Sequence, residues 1–177
     1  MTSSADAATR ASHLRIMLFD VDGVLTDGTL LYGEDGEKLK AFNTLDGHGL
    51  KMLAEVGIRT GIITGRRSRA LALRCADLGI SILHQGVADK AAVFASVLTE
   101  CGLQADQAGY MGDDVVDLPV MVRCAFAAAV PAAPVDVRSR AHYVTQAGGG
   151  RGAAREVCDF ILRAQGKFDG LIAGYLA

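Results

Sequence analysis

Two aspartates two positions apart, in the run Asp20-Val21-Asp22-Gly23-Val24-Leu25, follow the apolar stretch Ile16-Met17-Leu18-Phe19. Side chains alternate across a strand, so residues i and i+2 leave its end on the same side, and Gly23 permits a sharp exit. Two carboxyl groups that face one ligand can divide phosphoryl chemistry between them. One attacks phosphorus to form an aspartyl-phosphate; the other hands a proton to the leaving oxygen and later takes one from water. The same letters also serve turns and calcium loops, so this motif alone leaves both readings open.

Three further groups narrow the choice. Ile62-Ile63-Thr64-Gly65-Arg66 puts a hydroxyl and a glycine where an apolar strand turns into a helix, and backbone N–H groups at such a turn can cradle an anion. Asp89-Lys90 opens a later helix. The positive helix end disfavours a lysine there, so Lys90 needs another reason, and reaching inward to a nucleophile and a phosphoryl group supplies one. Met111-Gly112-Asp113-Asp114-Val115-Val116-Asp117 then concentrates three carboxylates within five residues. Helix capping accounts for one or two of them. The excess points to a hard cation: Asp20, Asp113 and a backbone carbonyl would suffice for Mg²⁺, which keeps several waters, with Asp114 and Asp117 supporting through those waters or through Lys90. Acids crowded beside a phosphate repel it, and a cation together with Lys90 offsets that repulsion.

These groups need a scaffold that gathers strand ends. Short apolar runs predict strands near residues 15–20, 58–63, 80–84, 108–111, 124–129 and 142–144. Helical periodicity falls near 46–56, 67–78, 88–101 and 114–122, and again at 152–165 after Gly148-Gly149-Gly150. The alternation predicts an α/β fold, a doubly wound and mostly parallel Rossmann-like sheet whose ligands bind at the carboxyl ends of its strands. Residues 28–42 break the pattern: two short runs flank Glu34-Asp35-Gly36-Glu37, the signal of an inserted β-hairpin. The expected organisation is a flexible leader over residues 1–12, one domain over 13–165, and an apolar but weakly periodic tail over 166–177. Nothing between the motifs leaves room for a cap domain, so the site is open unless another subunit closes it.

Composition excludes several partners. The 177 residues carry a formal net charge of −2 and are half hydrophobic, which favours neither nucleic acid nor an anionic membrane surface. No run is long enough to span a bilayer. Cys75, Cys101, Cys124 and Cys158 are scattered, which argues against a zinc site or a disulfide framework and for a reducing, cytoplasmic compartment.

The order Asp-x-Asp-Gly, Thr-Gly, Lys, Gly-Asp-Asp-x-x-Asp resembles the four motifs of the haloacid dehalogenase superfamily of phosphatases. That resemblance implies Asp20 as nucleophile, Asp22 as general acid/base, Thr64 and Lys90 as phosphate binders, and Asp20, the Asp22 carbonyl and Asp113 around Mg²⁺. Longer stretches, the Gly-Gly-Arg-Gly-Ala-Ala-Arg-Glu-Val-Cys-Asp segment above all, are similar to the capless family of 3-deoxy-D-manno-octulosonate 8-phosphate phosphatases. What this implies is a cytoplasmic, Mg²⁺-dependent homotetramer that releases phosphate from the eight-carbon sugar acid of lipopolysaccharide biosynthesis. Its hairpins would assemble the tetramer and its tail would help cover a neighbour's site. Such a substrate carries a carboxylate as well as a phosphate and calls for extra cations, for which Arg66, Arg74 and Lys51 are candidates. Gly65 and the run Asn43, Thr44, Leu45, Asp46 and Gly47 would add hydroxyl and backbone contacts. The competing readings are a phosphatase of a nine-carbon 2-keto-3-deoxy sugar acid phosphate and a non-catalytic oligomerisation module.

Overall fold

A computed structural model describes residues 4–176. In chain order, α1 (Ser4–Ala11) and β1 (Ile16–Phe19) precede a hairpin of β2 (Leu31–Gly33) and β3 (Gly36–Leu39). There follow α2 (Thr44–Glu55), β4 (Arg59–Thr64), α3 (Arg69–Leu78), β5 (Ile82–Gln85), α4 (Lys90–Cys101) and β6 (Ala108–Gly112). The last third holds α5 (Leu118–Met121), β7 (Phe126–Ala129), α6 (Val135–Arg138), β8 (Tyr143–Val144), α7 (Ala153–Ala164) and α8 (Phe168–Tyr175).

Six strands form one parallel sheet in the order β5-β4-β1-β6-β7-β8, and the hairpin stands apart as a two-stranded antiparallel sheet. All four residues of β1 and all four of β7 are buried, as expected for strands covered on both faces. Right-handed crossovers that run outward in opposite directions from β1 must place their helices on opposite faces. Accordingly α2 packs with α3 and α7 on one side, and α4 packs with α5 on the other. The direction of winding reverses between β1 and β6, which opens a crevice at their carboxyl ends. Phe19 pairs with Met111 there, so Asp20 and Asp113 leave adjacent strands at almost the same level.

Three segments depart from the sequence reading. The expected flexible leader is helical from Ser4: Ala7 and Ala11 are buried, Arg10 pairs with Asp6 at 2.8 Å, and α1 packs on α7 and β7. Alanine is the best helix former but a weak hydrophobe, so this stretch carries little periodic signal. Residues 1–3 of that leader lie outside the described residues. The helix expected over 114–122 is a 3₁₀ turn, Val115–Asp117, followed by the short α5, because the Asp117 carboxylate folds back onto the preceding backbone. In the tail, Phe168–Tyr175 form α8 with none of these residues buried, and residue 177 lies outside the described residues; Arg163 lies 3.7 Å over the Phe168 ring, and Tyr175 meets His48 of α2 at 3.3 Å. The four cysteines are all free.

Candidate active site

Asp20 follows the last residue of β1, and its backbone N–H donates to the Met111 carbonyl at 2.9 Å, an extension of the ladder that fixes where the carboxylate emerges. Lys90, at the start of α4, is buried and turns inward: its Nζ lies 2.9 Å from Asp20 Oδ2 and 2.7 Å from Asp117 Oδ1. The penalty of a lysine at a helix N-terminus is thus outweighed by two buried carboxylates. Burial pulls the Lys90 ammonium down, Asp20 and Asp117 push it up more strongly, and the net shift keeps it charged.

Asp117 is the anchor of this corner. It is fully buried and accepts from Lys90, from the Tyr110 hydroxyl at 2.7 Å, and from the backbone N–H groups of Asp113 at 3.0 Å and Asp114 at 3.2 Å. Four donors saturate its oxygens, so Asp117 holds the Asp113 loop and Lys90 rather than offering itself to a ligand. Asp114 is exposed and caps the following turn through Val115 N–H at 2.7 Å.

Ligand oxygens of Asp20, Asp113 and Asp117 lie within 4.8 Å of one another. Burial, then the charge of Asp117, pushes the Asp20 carboxyl up to about 6 against the pull of Lys90. Burial and the charges of Asp117, Asp20 and Asp114 push Asp113 up to about 7. Asp20 Oδ1 is buried with no hydrogen-bond partner, an uncommon state for a carboxylate oxygen. A divalent cation between Asp20 and Asp113 would satisfy that atom and relieve the mutual repulsion, so the residues fit a hard metal ion such as Mg²⁺.

Gly23, at φ 88°, turns the chain so closely over Asp113 that a side chain there would overlap the carboxylate. The glycine-rich segment before α7 clamps this turn from outside: Gly150 N–H donates to the Val24 carbonyl at 2.9 Å, and a methyl group on Gly149 would overlap the Gly23 carbonyl oxygen. Gly148, one residue away, has open space around it. We therefore expect Gly149→Ala to displace the Gly23 turn, lowering stability by about 1–3 kcal/mol and lowering kcat/KM. Gly148→Ala should stay within about 0.5 kcal/mol of the unsubstituted protein. Thermal melts and steady-state kinetics of the pair check this contrast.

The cleft so built is open, about 270 Å³, and is lined by Asp20, Asp22, Thr64, Gly65, Arg66, Lys90, Asp113 and Asp114, with Val87, Ala88 and Val116 at its side. Thr64 is the last residue of β4 and is buried; Gly65 is exposed beyond it. The structure brings these sequence-predicted residues together and leaves others elsewhere. Asp46 is buried in α2, where its carboxylate accepts from Gly152 N–H at 3.3 Å and Arg155 N–H at 2.9 Å, so it caps α7 and joins two helices. Asn43 caps α2 through Leu45 N–H and donates to the Gly150 carbonyl. Arg74 reaches from α3 to the Asn43 carbonyl at 3.3 Å and crowds Gly47, beside an apolar void of about 10 Å³, no larger than one water needs. Thr44, Leu45 and Lys51 are exposed on α2. Within one subunit the cleft wall includes none of Asn43 to Gly47, Lys51 or Arg74: Asn43, Asp46 and Arg74 make the contacts just described, and Thr44, Leu45 and Lys51 are exposed on α2.

The sequence reading missed the hairpin's share of the site. Lys40 ion-pairs with Asp22 Oδ1, and Arg66 lies 3.7 Å from Asp22 Oδ2 and 3.2 Å from Glu37 while donating to the Tyr32 hydroxyl oxygen at 2.6 Å. Written as a string, Glu37-Lys38-Leu39-Lys40 looks like an ordinary solvated strand edge. Tyr110 was equally invisible, as one more apolar residue of a buried strand.

No protein-family model matches the chain. Full-length relatives do. The 3-deoxy-D-manno-octulosonate 8-phosphate phosphatase KdsC of Escherichia coli K12 is 45% identical over 166 residues, 94% of this chain and 88% of the relative. The crystal structure of the phosphatase of that name from Yersinia pestis superposes with a TM-score of 0.91 at 45% identity, over 93% of this chain and 89% of the other. The Moraxella catarrhalis phosphatase, solved with a magnesium ion, a phosphate ion and a KDO molecule, gives a TM-score of 0.93 at 38% identity over 96% and 98% of the two chains.

Proposed function

The chain belongs to the 3-deoxy-D-manno-octulosonate 8-phosphate phosphatase family of the haloacid dehalogenase superfamily, and on that premise we propose how its cleft hydrolyses a phosphoric monoester. The enzyme is a Mg²⁺-dependent phosphatase, and its substrate is 3-deoxy-D-manno-octulosonate 8-phosphate, an intermediate of lipopolysaccharide biosynthesis. The observation that carries the reading is the placement of Asp20: Lys90 fixes one of its oxygens, the other is unpartnered, and Asp113 and Asp22 flank it.

Asp20 attacks phosphorus as the bond to the sugar oxygen breaks, and Asp22 delivers its proton to that oxygen. The free sugar acid leaves and Asp20 carries the phosphoryl group. Asp22, now a carboxylate, takes a proton from the water that attacks the same phosphorus, which releases phosphate and restores both groups. Thr64 and the Gly65 backbone face the phosphoryl oxygens, and Lys90 neutralises charge on them while holding the nucleophile. Asp20, Asp113 and the Asp22 carbonyl would hold Mg²⁺, which would supply further neutralisation of the phosphate charge. Arg66, at the rim, is the cation available to the substrate carboxylate.

A cleft of about 270 Å³ takes a phosphate and the carbons next to it, while the rest of an eight-carbon chain extends past these walls. Leu31, Tyr32 and Leu39 on the hairpin are about half or more exposed, and α8 buries none of its apolar residues. These surfaces favour a homo-oligomer, a tetramer, in which neighbours close the site. No helix of the described residues is long and apolar enough to cross a membrane, and free cysteines accord with a cytoplasmic enzyme.

The test is phosphate release from the eight-carbon and nine-carbon acid phosphates side by side. The eight-carbon ester is expected to show the higher kcat/KM by at least about tenfold, a difference of roughly 1.4 kcal/mol in transition-state binding. Equal or greater efficiency on the nine-carbon ester would reassign the substrate.

A further inference from the structure

We infer that Lys40, at the foot of the inserted hairpin, is a positioning residue for Asp22, so that the hairpin is a working part of the acid/base machinery as well as an assembly surface. The inference rests on the reading of Asp22 as the group that protonates the leaving oxygen.

Asp22 needs such a partner. It lies in the loop that leaves β1, one residue before the Gly23 turn, and its side chain is 19% exposed. A short carboxylate at the rim of an open cleft would otherwise sample several rotamers, only one of which reaches the ester oxygen, and a misplacement of about 1 Å is enough to cost on the order of 100-fold. Lys40 removes that freedom. Its ammonium pairs with Asp22 Oδ1, and Glu37 Oε1, 3.4 Å away, holds the ammonium from the other side. The Lys40 side chain is only 3% exposed, whereas Lys38, two positions earlier, is 48% exposed and pairs with Asp35 on the surface.

Arg66 completes the frame. It bridges Glu37 Oε2 at 3.2 Å and Asp22 Oδ2 at 3.7 Å, and it meets the Tyr32 hydroxyl at 2.6 Å. Asp22, Lys40, Glu37 and Arg66 thus alternate in charge around a ring, with each oxygen of Asp22 facing a different cation. Three of the five participants, Tyr32, Glu37 and Lys40, come from the hairpin segment. These ionic contacts, rather than sheet pairing, tie the hairpin to the cleft, since β2 and β3 pair only with each other. Of the two cations, Arg66 is the more exposed and the longer reach away, which leaves it free to turn to a substrate carboxylate while Lys40 keeps Asp22 in place.

Leaving-group chemistry separates positioning of an acid from any other loss. An alkyl phosphate needs its departing oxygen protonated, whereas p-nitrophenyl phosphate expels a stable phenolate and needs far less help. The parameter kcat/KM reports on phosphoryl-enzyme formation, the step in which that oxygen departs. Lys40→Met is expected to lower kcat/KM for the sugar phosphate about 10- to 100-fold and for p-nitrophenyl phosphate less than about threefold. Lys40→Arg should recover most of the loss, and Lys38→Met should leave both values near those of the unsubstituted enzyme. Gel filtration and melting of each variant accompany the kinetics. Equal losses on the two esters, or no loss on either, would overturn the role of Lys40 while leaving the phosphatase reading intact. An unsubstituted enzyme that turns over neither ester would overturn the reading of the cleft and this inference with it.

Discussion

Asp20→Asn lowers kcat by roughly 10³-fold or more while the protein still folds and melts cooperatively. The amide is nearly isosteric, so the packing of β1 and the backbone bond to Met111 remain, but the amide has no anionic lone pair with which to attack phosphorus. The unpartnered oxygen becomes a neutral carbonyl or amide nitrogen, and the attraction for a divalent cation weakens as well. Stability should change little or rise at neutral pH, because one of the mutually repelling carboxylates that push Asp20 to about 6 and Asp113 to about 7 is gone. Near-normal turnover in this variant would exclude covalent catalysis at Asp20.

Lys90→Met has a double cost. It takes a cation from the phosphoryl oxygens, worth roughly 10²- to 10³-fold in kcat/KM. It also strands Asp20 and Asp117, two buried carboxylates that now face each other without a counter-ion, and breaking such an arrangement costs about 3–5 kcal/mol, or roughly 6–20 °C in melting temperature for a domain of this size. The loss depends on pH with a definite sign. Burial and Asp117 already raise Asp20 above its ordinary value, and removing Lys90 raises it further. The folded state then binds more protons than the unfolded chain between the ordinary carboxyl pKa near 4 and the raised value, so stability falls as pH rises through that window. The variant should be most impaired at pH 8 and approach the unsubstituted protein near pH 5. A melting difference that is flat with pH would mean that Lys90 is not paired to titrating carboxylates.

How legible the molecule was depends on what each residue's partners are. Strands of a parallel sheet are covered on both faces, so Ile16-Met17-Leu18-Phe19 and its counterparts stand out as unbroken apolar runs, and residues just past their ends are gathered by topology alone. Asp20, Thr64, Lys90 and Asp113 could therefore be placed in one crevice before any contact was known. Asp46 could not. An aspartate in the first turn of a helix reads the same whether it faces a ligand or caps another helix, and only the distant Gly152 and Arg155 decide. Lys40 fails for the same reason in the opposite direction: its burial comes from Asp22, 18 residues earlier, and from the hairpin lying against the cleft. Ala7 and Ala11 bury too little apolar surface to mark α1 as part of the core. The local pattern reveals elements, while the roles of polar residues are set by partners far away in the chain.

The central claim is that Asp20 itself takes the phosphoryl group with a divalent cation in place. The direct measurement is rapid acid quench of a single turnover with 3-deoxy-D-manno-octulosonate 8-phosphate, followed by peptide mass mapping. The account predicts a transient phosphate adduct on the peptide that contains Asp20, formed in Mg²⁺, lost as free phosphate appears, and absent after chelation or in Asp20→Asn. Phosphate released at the full rate with no adduct at any time, or an adduct on another residue, would contradict it.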